Sequence, residues 1–512
     1  MIKIKHSWLF HLNKGLLIIL VGLCVSACSN QPQDLAENPV LEDSKQGNTT
    51  SSPPYAIGSR SLFIHDESRP FDSVGGVTAG IRSLLTEIWY PVSKETIASG
   101  AYQKATYGDY SFGDKQVHKL MLTNTTFFHL TSESVVDGVS QEQIEQAIEE
   151  LFKRPRASYI NAPVASTSQP FPVVVMTHGD AGSRYNMQTA CEYLAAHGYV
   201  VIAPEHTGNT PFAFTAKDPA INDKLAEVKE LLNEDGTYGP KDNYGQTYTP
   251  LVQDIKSPQA IVALDNALLE RLNDLRATLN ELDRMNAEGA FKGRLALDQV
   301  GLMGRSFGGT TTLASLTLEP RFSAGVAVVP LVMPDLRPIL PSTIIKPKEQ
   351  ESILLGAVDG DSNKIAFNTI SKPTMLLSGA EDGLIIGVGA NFASAIERAE
   401  LPTLNNPLPQ LRASYEETDQ AVVWGLLQDS NHSSFGVSGS YWWPEMKTQR
   451  QQRYFDPQES FELVKPETAH KIQQTKVLQF FDSFIRSDKQ ARAKLSNNEF
   501  TDDGLIYQTR NF

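Results

Sequence analysis

The chain has 512 residues, of which 41% are hydrophobic and 20% charged, and this composition is typical of a globular protein. Its length exceeds that of most single domains but suits one enlarged α/β domain that carries insertions. The formal net charge of −14 argues against the basic surface that nucleic-acid binding requires, so no nucleic-acid partner is expected.

The first 27 residues have the pattern of a secretory signal peptide. Basic residues precede an apolar run at 16–25 that is too short to span a bilayer. The segment leads into Val-Ser-Ala-Cys, ending at Cys28, which resembles the lipobox of bacterial lipoproteins. That resemblance implies cleavage before Cys28, lipidation of its sulfur and anchoring in the cell envelope, with Ser29 favouring the outer membrane. A cleaved signal followed by an incidental cysteine is the alternative.

Residues 28–57 are polar and contain prolines, and they predict a flexible tether ahead of a folded domain over 58–512. Within that domain, the first elements are a predicted strand at 81–92 and an amphipathic helix at 138–155.

From residue 170 onward, apolar strands alternate with helices. A long helix is predicted over 258–288 and a terminal helix over 469–487, and strands are predicted at 170–178, 199–206, 299–304, 323–330, 373–379 and 421–428. Because near-continuous apolar strands are typical of sheets buried on both faces, this pattern predicts an α/β fold whose mostly parallel sheet is flanked by helices. Two stretches, 207–257 and 336–372, interrupt the alternation and are predicted to cover a pocket.

The six residues Gly-Arg-Ser-Phe-Gly-Gly at 304–309 join a predicted strand to a predicted helix. They match G-x-S-x-G, the nucleophile elbow, in which a sharp turn exposes a serine at the edge of the sheet. Glycines flank the serine because side chains there collide with the adjoining strand and helix. Ser306 is therefore the candidate nucleophile, and a glycine-rich helix start without chemistry is the alternative.

A serine hydroxyl needs a base to take its proton, and in this fold the order along the chain is serine, acid, histidine. His432 follows the strand at 421–428, which places it on a loop, and it is predicted as the base. His470 falls within the terminal helix and is interpreted as a surface or packing residue.

Asp382 follows the strand at 373–379 and is predicted as the acid. Its carboxylate can accept the imidazole Nδ1–H and stabilise the imidazolium. The neighbouring Glu381 is expected to point elsewhere. Asp335, which follows the preceding strand, remains a rival for the acid.

Backbone amides are the expected donors to a developing oxyanion. The N–H of Phe307 lies directly after the nucleophile at a helix N-terminus, where the helix dipole favours negative charge. The second donor is expected in the glycine-containing turn at 177–184, and the Asp180 N–H is the candidate there. His178 and His206 are interpreted as structural loop residues.

Recognisable motifs extend over most of the chain: DESRPF, IRSLLTEIWYPV, FPVVVMTHGDAGSR, YLAAHGYVVIAPEHTG, VGLMGRSFGGTTTL and SNHSSF. Together they resemble the platelet-activating-factor acetylhydrolase-like group of α/β-hydrolases, whose bacterial members are often described as dienelactone-hydrolase-like. The resemblance covers about residues 58–485. It implies a serine esterase, often acting on short acyl groups, with no metal and no other cofactor. It also carries over Ser306, His432 and the amides of Asp180 and Phe307.

The sequence departs from that family's pattern in three respects. Arg305 stands where a histidine commonly precedes the serine, which is expected to alter contacts around the site but not the reaction. The mammalian acetylhydrolases take their acid from the strand after the nucleophile helix; the matching position here is Val329, so the role is expected to pass to Asp382. Dienelactone hydrolases use a cysteine nucleophile, so their chemistry is not implied.

The sequence therefore predicts a lipid-anchored serine carboxylic-ester hydrolase that acts through an acyl-enzyme on short-chain or lipid-derived esters. A lipase or polyester (cutinase-like) hydrolase and a serine peptidase are the alternatives among enzymes. Outside enzymes the alternative is a catalytically silent binding module, because one fold can host unrelated functions. The expected partners are an ester or lipid substrate and, through the lipid on Cys28, a membrane.

Overall fold

The computed structural model describes residues 52–111, 115–124, 130, 135–232, 244–250, 257–332, 370–394 and 399–512. The predicted signal peptide, most of the predicted tether and Cys28 lie outside these residues. So do the rival acid Asp335 and most of the predicted cover at 336–372. Among the helices that the structure describes, none is long and apolar enough to cross a membrane.

The predicted strands form one large sheet. The described strands are β1 (Ala56–Asp66), β2 (Arg82–Val92), β3 (Lys104–Thr106), β4 (Pro155–Ile160), β5 (Phe171–Thr177), β6 (Val200–Pro204), β7 (Phe212–Ala213), β8 (Tyr244–Gly245), β9 (Leu295–Arg305), β10 (Phe322–Val328), β11 (Thr374–Gly379), β12 (Val422–Leu427), β13 (Arg450–Gln452), β14 (Ser460–Glu462) and β15 (Leu505–Arg510). Within the described ranges, the sheet order is β15-β12-β11-β10-β9-β5-β6-β2-β1-β4-β3.

The centre of this sheet is parallel, as predicted. Strands β6, β5, β9, β10, β11 and β12 all run in the same direction. Beyond them, β2 and β15 pair antiparallel with β6 and β12. Every residue of β6, β11 and β12 is buried, which explains their continuous apolar sequences. Because the parallel strands end at one edge, the loops that follow β5, β9, β11 and β12 lie along that edge.

Helices cover both faces of the sheet. The described helices are α1 (Lys94–Ala98), α2 (Lys115–Asn124), α3 (Gln141–Lys153), α4 (Gln188–Ala196), α5 (Ala226–Leu232), α6 (Pro258–Ala287), α7 (Phe307–Leu318), α8 (Gly383–Ala393), α9 (Pro409–Glu417), α10 (Pro466–Phe484) and α11 (Lys489–Leu495). Alternate residues of β5 point to opposite faces: Val174 and Met176 belong to the core beneath α4 and α10, whereas Val173 and Val175 belong to the core beneath α6.

The long helix α6 begins and ends close to its predicted bounds. Ser257 is its N-cap, and the Ser257 side chain accepts a hydrogen bond from the Ala260 N–H. Pro258 occupies the first helical position, where a missing N–H costs nothing. The apolar face of α6 packs on the sheet and against α7, so its polar residues near the sheet edge come close to the loops there.

The described parts of the predicted insertion at 207–257, residues 207–232 and 244–250, are called the cover segment below. This segment contains α5 and the antiparallel pair β7–β8. The Asp218 carboxylate, within it, accepts hydrogen bonds from His65 on β1 and Ser83 on β2. The Asp72 carboxylate accepts another from the Tyr244 hydroxyl, at 2.9 Å. Side-chain hydrogen bonds therefore connect the cover segment to the rest of the domain.

The start of the sheet reaches into the stretch predicted as a tether. β1 begins at Ala56, and the Tyr55 N–H donates to the Ala196 carbonyl at 3.1 Å. The Tyr55 ring also packs edge-on against Phe171. Residues 55–57 of the predicted tether therefore make contacts with the folded domain.

Candidate active site

Ser306 occupies a strained turn between β9 and α7. Its φ of 59° and ψ of −125° lie in a region that non-glycine residues rarely adopt. A Cβ on Gly304 would lie 2.3 Å from the Gly308 carbonyl oxygen, and a Cβ on Gly308 would lie 2.1 Å from the Thr177 oxygen. Glycine is therefore required on both sides of the serine, and the predicted elbow geometry is present.

Asp382 and His432 are in direct contact at the same edge of the sheet. The His432 Nδ1 lies 2.7 Å from the Asp382 Oδ2, and both side chains are buried. Because an ionised carboxylate only accepts hydrogen bonds, this contact places the neutral imidazole proton on Nδ1 and leaves Nε2 as the basic nitrogen. Asp382 also caps α8, since its Oδ1 accepts from the Ile385 N–H at 3.1 Å.

Burial lowers the pKa of His432 below its ordinary value of 6.5. The negative charge of Asp382 opposes this shift, and the positive charge of Arg305 adds to it. The imidazole is therefore neutral at pH 7, which is the state that a general base needs.

Glu381, next to the acid, points elsewhere, as expected. Its carboxylate accepts hydrogen bonds from Arg453 Nη1 at 2.7 Å and from the Tyr454 N–H at 2.9 Å.

Arg305 links the elbow to the histidine loop. Its guanidinium is buried, and Nη2 donates to the backbone carbonyl of His432. Burial lowers the pKa of Arg305 to about 10, so it stays charged at neutral pH. Arg305, which departs from the pattern of the resembled family, thus places a cation against the backbone of His432.

Val329 is the residue at which the family resemblance leads one to expect the acid of the mammalian acetylhydrolases. It is fully buried at the end of β10 with a φ of 42°, and its N–H donates to the Leu377 carbonyl at 2.7 Å. No carboxylate is available at this position, and the one that contacts His432 follows the next strand, β11. The other candidate, Asp335, lies outside the described residues.

The turn at 177–184, called the oxyanion loop below, passes directly over the nucleophile. A Cβ on Gly179 would lie 3.0 Å from the Ser306 Cβ and 3.5 Å from its Oγ. The Asp180 N–H belongs to the next peptide. The Phe307 N–H is the first of α7, and the first N–H groups of a helix have no acceptor within the helix. The Phe307 N–H therefore directly follows Ser306 in the chain, and the oxyanion loop, which carries the Asp180 N–H, faces Ser306 across the elbow.

Hydrogen bonds tie the Asp180 side chain to the cover segment. Its carboxylate accepts from Asn209 Nδ2 at 2.6 Å, Thr249 Oγ1 at 2.6 Å and Gln246 Nε2 at 3.2 Å. Burial raises the pKa of Asp180 above its ordinary value, and the hydrogen bonds from Thr249 and Asn209 offset part of that rise.

The three other histidines considered from the sequence are buried packing residues. His178 Nε2 accepts from the His206 N–H at 3.0 Å, and His206 lies between Thr177 and Asp274. Burial lowers the pKa of His206 to about 4 and that of His470 to about 3, so both are neutral at pH 7.

Arg271, on α6, is the residue of this region that the sequence did not reveal. Its guanidinium is fully buried against the oxyanion loop. In the sequence it is one of several charged residues on a long helix, and nothing in its spacing separates it from a solvent-exposed arginine. Within the described ranges, no group of three or more histidine, cysteine, aspartate or glutamate side chains could hold a metal ion.

The parallel sheet, the elbow and the loops at one sheet edge define an α/β-hydrolase fold. A solved structure agrees: the ferulic acid esterase from Streptomyces cinnamoneus superposes with a TM-score of 0.51 and 15% identity, covering 90% of this chain and 97% of that one. The predicted fold class is therefore confirmed.

Sequence comparison points to one group within this fold. The family model "Platelet-activating factor acetylhydrolase, isoform II" matches residues 138–347. The platelet-activating factor acetylhydrolases of Gallus gallus and Canis lupus familiaris are 25% and 27% identical over 169 and 179 residues, or 32% and 34% of this chain. The chain spans 39% and 38% of the lengths of these relatives. The predicted resemblance is thus confirmed over this part of the chain.

The matched region has a specific relation to the site. It contains Asp180, Ser306 and Phe307 but ends before Asp382 and His432. Similarity to the family therefore extends to Ser306 and the oxyanion loop. The candidate acid Asp382 and the candidate base His432 are supported instead by their mutual contact and by their positions after β11 and β12.

Proposed function

We propose that this protein is a serine carboxylic-ester hydrolase that works through an acyl-enzyme. The observation that carries the proposal is the 2.7 Å contact between Asp382 and His432, on loops at the sheet edge that also bears the strained Ser306. This arrangement suits acyl transfer because it supplies a nucleophile, a neutral base and an acid that stabilises the base once it is protonated.

The reaction begins when the Ser306 Oγ attacks the ester carbonyl and His432 Nε2 takes the hydroxyl proton. The carbonyl oxygen becomes an oxyanion that accepts hydrogen bonds from the Phe307 and Asp180 N–H groups. When the intermediate collapses, His432 returns the proton to the departing alcohol and the acyl group remains on Ser306. Water, deprotonated by His432, then attacks the acyl-enzyme, releasing the carboxylic acid and restoring the serine hydroxyl.

Short-chain acyl esters or lipid-derived esters are the proposed substrates. The matched relatives are named for acetyl hydrolysis of platelet-activating factor, and the structural neighbour is named a ferulic acid esterase. A lipase or polyester hydrolase is the second candidate. A para-nitrophenyl ester series from acetate to palmitate separates the two, because a lipase turns over the long chains at least as well as the short ones.

The decisive experiment combines ester turnover with fluorophosphonate labelling of the purified full chain. Ser306→Ala should abolish both. Ser315→Ala is the matched control, because Ser315 is buried in α7, the helix that directly follows Ser306, and its Oγ has no hydrogen-bond partner among the described residues. Turnover that survives Ser306→Ala would contradict the proposal. Absence of both turnover and labelling in the wild type would favour a silent binding module.

We further propose that a lipid on Cys28 anchors the protein in a bacterial cell envelope, on the outer membrane. The lipobox-like sequence is the support for this. Metabolic labelling with a clickable palmitate analogue should mark the wild type but not Cys28→Ala. Equal labelling of the variant and the wild type would contradict the anchor without affecting the esterase proposal.

A further inference from the structure

The guanidinium of Arg271 contacts the oxyanion loop through backbone atoms. Nη1 donates to the His178 carbonyl at 2.6 Å, and Nη2 donates to the Gly179 carbonyl at 3.0 Å. Its central carbon also lies 4.6 Å from the ring centroid of Phe307. One buried side chain therefore touches the residues that surround both expected oxyanion donors.

The contact at Gly179 determines where the next N–H points. The Gly179 carbonyl and the Asp180 N–H belong to one planar peptide unit and point in opposite directions across it. Nη2 of Arg271 on the oxygen thus fixes the direction of the N–H. A second donor reaches the same oxygen: His178 Nδ1, at 2.7 Å. Nδ1 carries the proton because His178 Nε2 already accepts from the His206 N–H.

The positive charge of Arg271 beside the Gly179 oxygen also makes the Asp180 N–H a stronger hydrogen-bond donor. A hydrogen bond from a cation polarises the peptide, and polarised groups form stronger hydrogen bonds in turn. Burial lowers the pKa of Arg271 to about 10, so the guanidinium remains protonated at neutral pH.

Asn209 connects the guanidinium to the side chain of the same donor residue. Its Oδ1 accepts from Arg271 Nε at 3.1 Å and Nη2 at 2.5 Å, and its Nδ2 donates to Asp180 Oδ1 at 2.6 Å. Asp180 is thus held at its backbone and at its carboxylate. Among the described residues, Arg271 forms no direct ion pair, unlike the buried Arg82, which pairs with Asp274. A buried arginine that faces carbonyls instead of a carboxylate is suited to orienting a loop.

We propose that Arg271 is a positioning residue of the oxyanion hole, which aims and polarises the Asp180 N–H and supports Phe307. This inference rests on the proposed function, since an oxyanion forms only if Ser306 attacks an ester. Arg271 itself touches neither substrate nor nucleophile in this scheme.

The test compares Arg271→Met and Arg271→Lys with the wild type, using para-nitrophenyl acetate and active-site titration to count folded sites. We expect Arg271→Met to lower kcat by about 10- to 100-fold, below the loss from deleting a donor outright, with KM changed by less than about threefold. Arg271→Lys should recover part of that loss because an ammonium can still reach one carbonyl. The affinity of a trifluoromethyl ketone, whose adduct carries the oxyanion, should fall in parallel with kcat.

Lys476→Met is the matched control. Lys476, on α10, is also a buried cation that donates to a backbone carbonyl, that of Asn497 at 2.7 Å, and its other hydrogen bonds go to Gln479 and Glu499, which lie outside the oxyanion loop. This variant should lose stability while its kcat per titrated site stays within about twofold of the wild type. If kcat of this control falls as much as kcat of Arg271→Met, general destabilisation is the cause, and the proposal is overturned.

The proposal is also overturned if kcat of a folded Arg271 variant stays within about threefold of the wild type, or if kcat falls while ketone affinity does not. If neither variant folds, Asn209→Ala decides, because it leaves the guanidinium in place but removes its link to Asp180. We expect about a three- to tenfold lower kcat there, and an unchanged kcat overturns the proposal. Failure of the proposed function is recognised separately, as turnover that survives Ser306→Ala.

Discussion

On the acid–base side of the candidate site, Asp382 and His432 meet on short loops that follow neighbouring strands. On the oxyanion side, the loop after β5 is held by Arg271 on a helix and by Asn209 in an insertion, far away in the chain. The acid–base side is assembled by the order of the strands alone. The oxyanion side is assembled only when a long helix and the cover segment dock correctly, so we expect its activity to be more sensitive to substitutions far from the site.

The largest expected effect tests the acid–base side. Asp382→Asn should lower kcat by about 10⁴-fold, because an amide no longer holds the imidazole proton on Nδ1 or stabilises the imidazolium. Steady-state turnover of para-nitrophenyl acetate measures this. The control is Glu381→Gln, whose carboxylate contacts Arg453 instead of His432, and it should change kcat by less than about threefold. If Asp382→Asn keeps more than about a tenth of wild-type kcat, another acid serves His432, and Asp335 is the next to test.

The second prediction concerns packing between the elbow and the oxyanion loop. Gly308→Ala should lower the free energy of unfolding by about 3 kcal/mol, since its Cβ would lie 2.1 Å from the Thr177 oxygen. Denaturant titration measures the change. Gly387→Ala is the control in α8: its Cβ would make an ordinary 3.5 Å contact with the Tyr454 hydroxyl, and its stability should be equal or higher. Equal stability of Gly308→Ala and wild type would mean that the two sides are less tightly packed than described.

The third prediction uses pH. A general base works only when deprotonated, so kcat/KM should fall as pH drops through the pKa of His432, which burial and Arg305 lower. Arg305→Met removes a positive charge near the imidazole, which raises that pKa and moves the acidic limb of the profile to higher pH. Profiles of kcat/KM from pH 4 to 8 measure the shift. Arg453→Met is the control: it removes a cation bound to Glu381 and should leave the acidic limb in place. If the acidic limb moves by the same amount in both variants, Arg305 has no specific role.

The smallest expected effect tests the coupling of the cover segment to the oxyanion loop. Thr249→Val removes one hydrogen bond to the Asp180 carboxylate and should lower kcat by about threefold. Thr210→Val is the matched control, because Thr210 is buried in the same segment and its Oγ1 has no partner among the described residues. If both variants have the same kcat, the cover segment does not act through Asp180.

The sequence was sufficient for features that depend on local pattern and chain order. Apolar strands alternating with helices predicted the parallel sheet, and the glycines around Ser306 predicted the elbow. His432 and Asp382 were found because each follows a buried strand in the expected order. Apart from the order of the three residues along the chain, these signals are contained in windows of about ten residues, where side-chain periodicity and turn chemistry operate.

The oxyanion side could not be predicted in the same way. Arg271 lies on α6, a long helix that carries charges along its length, so its complete burial depends on how that helix docks on the sheet. Asn209 and Thr249 read as ordinary loop residues, and their contact with Asp180 arises only when the insertion folds back. Contacts between polar residues that are far apart in the chain do not produce a periodic pattern in the sequence.

Asp382 has two tasks, since one oxygen holds His432 and the other caps α8. Turning the carboxylate away from the imidazole therefore also uncaps the helix, at a cost of about 1 kcal/mol. At room temperature that cost alone favours the productive rotamer by about fivefold. Thermal fluctuation of the acid is thus restrained by the stability of a neighbouring helix, and any change that frays the start of α8 should disorder the histidine as well.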